Sequence, residues 1–168
     1  MTGEAPRIVV AGPSGAGKSV VGAALAEALG VPFLDADSLH PASNVEKMAS
    51  GIPLTDEDRR PWLELVGRAL AASSDGLVVA CSALRRSYRD LLRAEAPTTV
   101  FVALRVDPAV LRERVAGRSD HFMPVGLLDS QLATLEPLGA DEPGVTVDNV
   151  GELPDVVGRV LDALGIGR

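Results

Sequence analysis

The sequence predicts an α/β fold, with a five-stranded parallel sheet covered by helices on both faces in one domain. Two observations predict it. Short apolar runs alternate with longer helical patterns along the whole 168-residue chain, as is typical of βαβ units joined by right-handed crossovers. The apolar runs are also continuous, which indicates strands buried on both faces of the sheet. A chain of this length suffices for one hydrophobic core.

The strands and helices follow one another in strict order. The segment 55–73 begins with Thr55 as its N-cap and acids in its first turn, whereas Pro61 within it indicates a break or a restart. Asp107 and Pro108 are a typical N-cap and first residue for the helix after the fourth strand. The predicted strands cover residues 7–12, 31–37, 76–82, 98–106 and 144–149, and the predicted helices cover residues 20–29, 55–73, 83–96, 107–118, 125–138 and 153–165.

Composition and charge argue against several classes of protein. The net charge of −7 is opposite to that of most proteins that bind nucleic acids or anionic membranes. A single cysteine, Cys81, allows no internal disulfide and is expected to pack as a small apolar side chain. The sequence shows no secretion signal and no apolar run long enough to span a membrane. These features predict a soluble cytoplasmic protein that binds neither nucleic acid nor membrane.

The segment GPSGAGKS stands between the first predicted strand and the first predicted helix. Glycines let such a loop curl so that its backbone N–H groups point inward, and the next helix adds the positive end of its dipole. The pattern predicts a nucleotide phosphate site, with Lys18 at the β- and γ-phosphates and the Ser19 hydroxyl on Mg²⁺. The residues predicted to bind the nucleotide here are Gly12, Pro13, Ser14, Gly15, Ala16, Gly17, Lys18 and Ser19.

The acidic residues that follow the strands favour a kinase over a switch or a motor. A GTPase switch needs an asparagine-lysine-x-aspartate base reader, which this sequence lacks. A large ATPase usually has a strand that ends in Asp or Asp-Glu, but the third strand here ends with Cys81 and Ser82. Only the second strand ends in acids, Asp35 and Asp37. Carboxylates one strand over from the phosphate loop fit a small kinase, in which they meet the acceptor hydroxyl and the metal shell.

The acceptor segment lacks the apolar clamp that a nucleobase needs. The run DADSLHPASNVEKMASGIPLTDEDRRPWL, residues 35–63, instead offers groups suited to hydroxyls and a carboxylate. With GPSGAGKS, CSALRRSYRDLLR and HFMPVGLLDSQLATLEP, this run resembles the gluconate kinase (gluconokinase) family of small P-loop kinases over residues 8–137. The family usually has glycine where this chain has Ala36. The added methyl group restricts φ and bears on how closely substrate approaches that turn.

The resemblance implies a reaction and its participants. ATP and D-gluconate would give ADP and 6-phosphogluconate with Mg²⁺, in a homodimer. Asp37 is then the general base for the gluconate 6-hydroxyl, or alternatively the N-cap of the segment that starts at Ser38. Asp35 would hold a water on Mg²⁺, or alternatively serve only as a turn acid. His40 is a weaker candidate for contact with the substrate.

Arginines are the candidates for reading the gluconate carboxylate, because a guanidinium matches a carboxylate with two parallel hydrogen bonds. The candidates are Arg59, Arg60, Arg86 and Arg89, and the resemblance ranks Arg59 and Arg89 first. Solvated ion pairs are the alternative for the others. Tyr88 and Trp62 are expected to pack rather than to contact ligand.

The polar segment SDHFMP, which follows the fourth helix pattern, resembles a lid over ATP at about residues 118–125. Arg114 and Arg118 come just before the segment SDHFM, and arginines there would stabilise charge on the transferring phosphoryl group. For Arg114 the alternative is a basic helix end favoured by the dipole. His121 and Gln131 are predicted to face gluconate hydroxyls.

Two other functions remain open from the residues alone. The same scaffold could phosphorylate shikimate or another small hydroxy acid. It could also bind a nucleotide as a gated module without any acceptor chemistry.

Overall fold

The sheet is built from five short strands, and its helices lie between them in sequence. A computed structural model describes residues 5–116 and 125–166 of the chain. The strands are Arg7–Ala11 (β1), Phe33–Asp35 (β2), Leu77–Ala80 (β3), Val100–Arg105 (β4) and Gly144–Asp148 (β5). The α-helices are Lys18–Leu29 (α1), Ala42–Ala49 (α2), Asp56–Ala72 (α3), Arg86–Glu95 (α4), Pro108–Ala116 (α5), Val125–Thr134 (α6) and Leu153–Leu164 (α7).

All the strand pairs are parallel, and the order across the sheet is β2-β3-β1-β4-β5. Strand β1 therefore lies at the centre, with the chain first passing to one side and then to the other. In sheets of this kind, ligands bind beyond the carboxyl ends of the strands where the order reverses. The predicted parallel α/β fold is confirmed, and its topology places the phosphate loop at this point.

Two apolar layers cover the two faces of the sheet. Ile8 and Val10 of β1 belong to a core with α1, α5, α6 and α7, whereas Val9 and Ala11 belong to a core with α3 and α4. This division follows from the strand period of two, which sends successive side chains to opposite faces. Helices on both faces are thereby confirmed.

One local prediction was wrong, and two short helical segments were not predicted. Helix α3 continues through Pro61 without a break, because a proline removes only one hydrogen bond and α3 keeps a buried face that includes Trp62, Leu63 and Val66. The acceptor segment also forms a short 3₁₀ helix, Ala36–Leu39, and helix α2, which the sequence analysis did not anticipate. Helix α2 has only eight residues, with Met48 and Asn44 as its buried side chains, so its apolar period is weak.

Helix length and polarity bear on membrane insertion. Among residues 5–116 and 125–166, no helix is both long enough and apolar enough to span a membrane.

Candidate active site

The phosphate loop adopts a conformation that depends on its glycines. Gly15 and Gly17 have φ angles of 83° and 91°, which L side chains rarely adopt. A Cβ at Gly17 would also collide with the side-chain amide of Asn149. That amide donates to the Ala16 carbonyl at 2.7 Å, and the Asn149 backbone N–H is bound by the Arg105 carbonyl at 3.0 Å. Asn149 therefore ties the loop to the end of β4.

Other groups hold the rest of the loop. Lys18 Nζ donates to the Pro13 carbonyl at 3.1 Å, and Arg114 Nη1 donates to the Gly15 carbonyl at 2.9 Å. The Ser14 backbone N–H donates to Gln131 Oε1 at 2.7 Å. The structure thus brings Arg114 and Gln131 to the loop, although the two come from helices distant in sequence.

The donor set beside the loop suits a small hard cation. Ser19 Oγ lies on the first turn of α1 and donates to Asp35 Oδ2, the last residue of β2, at 2.8 Å. The structure therefore pairs the two residues predicted for Mg²⁺. Within the described part of the chain, no group of three or more His, Cys, Asp or Glu residues converges as a metal cage. Mg²⁺ commonly uses one or two protein oxygens together with substrate phosphates and water, so the pair fits it.

A cleft adjoins the loop on the side of β2 and β3. It brings together Lys18 from the loop, Asp37 and His40 from the segment after β2, and Arg59 from α3. Its other lining residues are Ser14, Met48, Pro53, Leu54, Trp62, Ser82, Leu84, Ser130 and Gln131. Six of the sequence-predicted site residues (Ser14, Lys18, Asp37, His40, Arg59 and Gln131) thus share one cleft.

Asp37 lies at the mouth of the cleft, with 52% of its side chain exposed. Its backbone N–H donates to Asp35 Oδ1 at 3.0 Å, so Asp35, not Asp37, caps the 3₁₀ helix. The alternative role of Asp37 as an N-cap is therefore wrong. The Ala36 methyl group is buried in the core with α3, away from the cleft, so the departure from glycine does not narrow the site.

His40 is held in the wall of the cleft. Its ring stacks on Trp62 with centroids 4.0 Å apart and an interplanar angle of 16°. Burial, and then the positive charge of Arg59, lower the pKa of His40 to about 4. Its ring is therefore neutral near pH 7. Trp62 Nε1 donates to the Ala36 carbonyl at 2.7 Å, so Trp62 does more than pack.

Arg59 is oriented by a chain of hydrogen bonds. Its Nη1 donates to the Leu54 carbonyl at 2.6 Å and to Tyr88 Oη at 2.9 Å. Tyr88 Oη in turn donates to Asp56 Oδ1 at 2.6 Å. Burial, followed by that hydrogen bond, raises the pKa of Tyr88. Tyr88 was expected only to pack, but it fixes the guanidinium of Arg59 at the cleft.

The other predicted carboxylate readers lie elsewhere. The Arg89 side chain is 3% exposed and pairs with Glu142, itself 5% exposed, at 2.8 Å. Arg89 Nη1 also donates to the backbone carbonyl of Ala83 at 3.0 Å, and Ala83 itself has a positive φ of 40°. Arg86 makes two hydrogen bonds to Asp141 on the surface, at 2.8 and 2.6 Å. Neither arginine lines the cleft, because each satisfies a carboxylate of its own chain. Arg60 is exposed and does not line it either.

Some predicted features lie outside the described residues. Arg118 and His121 are among them, as is the predicted lid at 118–125 apart from Val125, the first residue of α6. Cys81 is buried as expected, and burial, followed by the nearby charge of Asp37, raises its pKa to about 12.

Sequence reasoning missed four residues that support the site: Asn44, Asp56, Tyr88 and Asn149. None belongs to the phosphate-loop pattern, and each acts by holding another side chain or the loop. No sequence pattern indicated them: Asn44, whose buried amide needs partners, lies on α2, a helix that the sequence analysis did not predict.

Comparison with known proteins identifies the family. Residues 8–138 match the model of a family described as AAA domain. The gluconokinase of Gluconobacter oxydans (strain 621H) is 48% identical over 153 residues, which are 89% of this chain and 85% of that protein. The thermoresistant gluconokinase of Escherichia coli (strain K12) is 41% identical and covers 95% of this chain and 94% of its own length.

Solved structures agree in fold. The crystal structure of a gluconokinase from Sinorhizobium meliloti 1021 is 50% identical, with a TM-score of 0.86 over 95% of this chain and 91% of that chain. A shikimate kinase from Bacteroides thetaiotaomicron, 20% identical, shares the fold with a TM-score of 0.71 over 96% of this chain and 99% of that chain. The predicted P-loop kinase fold is thereby confirmed. This chain, with its AAA-type phosphate-loop domain, belongs to the gluconokinase family.

Proposed function

We propose that the protein transfers the γ-phosphate of ATP to the 6-hydroxyl of D-gluconate, giving 6-phospho-D-gluconate and ADP. One observation supports this most directly. Asp37 and Arg59 line the same cleft as Lys18 of the phosphate loop. A carboxylate that accepts a proton, a guanidinium that pairs with a carboxylate, and a lysine for phosphate charge are the groups that this reaction needs.

The loop would position the phosphates of ATP. Backbone N–H groups of the loop and the N-terminus of α1 would bind the phosphate anion, and Lys18 would meet the charge that grows on the β- and γ-phosphates. Arg114, whose Nη1 donates to the Gly15 carbonyl at 2.9 Å, would lie beside the phosphates. We assign Arg118 the same role from the sequence alone. These cations act mainly on the transition state, in which negative charge is redistributed over the transferring group.

Ser19 and Asp35 would hold Mg²⁺, either directly or through water. When bound, Mg²⁺ neutralises charge on the phosphate oxygens and aligns them for in-line transfer. The hydrogen bond of 2.8 Å between Ser19 Oγ and Asp35 Oδ2 keeps both oxygen groups together at the mouth of the loop.

Asp37 would receive the proton of the acceptor. As the gluconate O6–P bond forms and the bond between the γ-phosphorus and the bridging oxygen of ADP breaks, the hydroxyl proton passes to the Asp37 carboxylate. The electron pair of the broken bond leaves with ADP. Phosphoryl transfer is loose, so the proton moves late and positioning outweighs base strength.

Arg59 would bind the far end of gluconate. Its contacts to Leu54 and Tyr88 both use Nη1, which orients the guanidinium at the edge of the cleft. We assign Gln131, His121 and His40 to gluconate hydroxyls. Arg86 and Arg89 take no part in this proposal, because each is paired with a carboxylate of the chain.

A coupled assay of ADP release tests the substrate. Gluconate, shikimate, glucose and nucleoside monophosphates would each be offered with ATP and Mg²⁺. We expect turnover with gluconate and little with glucose, which lacks the carboxylate. Preference for shikimate would replace gluconate as the acceptor, and equal ATP consumption with and without every acceptor would indicate a binding module instead.

We further propose a homodimer that acts in the cytoplasm, on the strength of the family resemblance. Light scattering of the purified protein tests the first part, and a monomer mass at micromolar concentration would contradict it. Cell fractionation tests the second.

A further inference from the structure

Asn44 is a buried polar residue that no step of the proposed reaction uses. It lies on α2 with 2% of its surface exposed. Its Nδ2 donates to the Asp58 backbone carbonyl at 2.9 Å and lies 3.2 Å from His40 Nδ1. A buried amide that reaches into the wall of an active cleft needs a reason beyond packing.

The Asp58 carbonyl determines the orientation of the Asn44 amide and, through it, the tautomer of the His40 imidazole. A backbone carbonyl oxygen only accepts hydrogen bonds, so the atom that faces it must be the NH₂ group of Asn44. The second hydrogen of that group points to His40 Nδ1, which must then accept. A neutral imidazole has one N–H, so the proton of His40 lies on Nε2.

The ring is also fixed in direction. Trp62 stacks against it and is itself bound to the Ala36 carbonyl, one residue before Asp37. In this arrangement His40 Nε2 lies 3.9 Å from Asp37 Oδ1. That distance is too long for a direct hydrogen bond. It can instead be spanned by one hydroxyl oxygen placed about 2.8 Å from each atom.

The charged groups around the His40 ring are compatible with a neutral imidazole that carries its proton on Nε2. Asp37 faces it from the 3₁₀ helix, Arg59 from α3, and Lys18 from across the cleft. The carboxylate of Asp58 is bound by Lys47 and by the backbone N–H of Thr55, and so is occupied elsewhere. With a pKa of about 4, His40 keeps a single N–H through the neutral range.

We propose that Asn44 is a positioning residue that holds His40 with its N–H on Nε2, and that this N–H and the Asp37 carboxylate together orient the acceptor hydroxyl. The hydroxyl oxygen accepts from Nε2–H while its proton points to Asp37. A lone pair is thereby left for the phosphorus. Asp37 alone would fix where the proton goes, but it would leave the oxygen free to rotate. The inference rests on the proposed kinase reaction.

The tautomer is measured directly by ¹⁵N NMR of the imidazole rings. The chain has only two histidines, and a His121→Gln variant assigns the signals. We expect His40 of the wild-type chain to be protonated on Nε2 alone from pH 5.5 to 8. Protonation on Nδ1, or a cationic ring at pH 7, would overturn the proposal. This outcome does not depend on which substrate the enzyme uses, so it is separate from failure of the kinase assignment.

Asn44→Asp provides the kinetic test. The new carboxylate would accept from Nδ1–H, move the proton off Nε2 and raise the pKa of the imidazole. We expect kcat/KM for gluconate to fall about tenfold, the value of one hydrogen bond, and to gain an inflection between pH 6 and 8. Binding of ATP should not change.

Ser43→Asp is the matched control, because it adds the same charge at the adjacent exposed position of α2. It should keep the wild-type pH profile. If Asn44→Asp shifts the proton to Nδ1 but leaves kcat/KM within twofold, or if both variants lose activity equally, the proposal is wrong. If Asn44→Asp fails to fold, the tautomer of His40 in the wild-type chain still tests the proposal.

Discussion

The phosphate loop and the acceptor cleft lie side by side, but they are built in different ways. The loop is eight consecutive residues that follow β1 and end in the first turn of α1, and the groups proposed to bind phosphate are mostly backbone N–H groups in a conformation that depends on Gly15 and Gly17. The acceptor cleft takes single side chains from the 3₁₀ helix, α3 and the loop itself. Two of these side chains are oriented by others: Tyr88 holds Arg59, and Trp62 stacks on His40.

Because of this difference, substitutions should affect the phosphate loop and the acceptor cleft in different ways. Backbone groups stay in place as long as the loop keeps its conformation, so substitutions in the loop should act on chemistry or on its shape. Side chains of the acceptor half lose their orientation when a distant partner is removed. Substitutions can therefore test the boundary between the two halves.

Lys18→Ala should have the largest effect. Lys18 is proposed to meet charge that develops in the transition state, so kcat should fall by on the order of 10²–10³ or more while the fold is kept. ADP release measures the rate, and circular dichroism checks the fold. A rate within a few-fold of the parent would remove Lys18 from the chemistry and leave the loop as a binding site only.

Arg89→Met tests where the acceptor half ends. Removing the guanidinium leaves Glu142 buried and unpaired, which should cost about 3–5 kcal/mol of the free energy of unfolding. Urea unfolding measures it. Arg86→Met is the control, because its pair with Asp141 is exposed and should contribute little. A stable Arg89→Met enzyme with a much higher KM for gluconate would return Arg89 to the acceptor site.

The same pair predicts a dependence on pH. Burial raises the pKa of Glu142, but the hydrogen bonds from Arg89 and Gly139 outweigh it and give a net lowering. A carboxylate with a lowered folded pKa stabilises the fold above its unfolded pKa, and this contribution is lost as the pH falls through the folded value. The wild-type chain should therefore lose stability as the pH falls below about 4.5, and Arg89→Met should remove part of that loss in urea unfolding measured against pH.

Asp37→Asn tests the base on the acceptor side. The amide keeps the shape of the side chain but cannot take the proton, so kcat should fall on the order of 10² while the Kd for ATP stays nearly unchanged. Single-turnover kinetics separates the two quantities. If kcat stays near the parent value, Asp37 belongs to the metal shell.

Arg59→Lys should affect binding more than chemistry. A lysine carries the charge but not the two-pronged geometry, so KM for gluconate should rise about tenfold while KM for ATP stays constant. Arg68→Lys, on the exposed face of the same helix, is the control. Equal effects of the two variants would mean that Arg59 acts only through the stability of α3.

Asp35→Asn should give the smallest effect at saturating metal. The loss of one carboxylate oxygen that binds Mg²⁺, directly or through a water, should shift the Mg²⁺ dependence of turnover to higher concentration several-fold, with kcat largely recovered at high Mg²⁺. A Mg²⁺ titration of ADP release measures it. An unchanged Mg²⁺ dependence would contradict the role proposed for Asp35.

The strands, the parallel sheet and the position of the phosphate loop could be predicted from the sequence alone. These features depend on local rules: continuous apolar runs for buried strands, and glycines with a lysine and a serine in eight consecutive positions. Such patterns can be recognised in a sequence because the residues that act together are adjacent in the chain. The family could be identified for the same reason, since its motifs are contiguous.

Which of several similar side chains belong to the acceptor cleft could be seen only in the folded chain. Arg59 and Arg89 look alike in the sequence, yet one lines the cleft and the other is buried against Glu142, 53 positions away. Asn44 and Asn149 likewise act through partners that no local pattern reveals. The role of a long polar side chain is set by which acceptor it reaches, and chain folding alone brings that acceptor within hydrogen-bond distance.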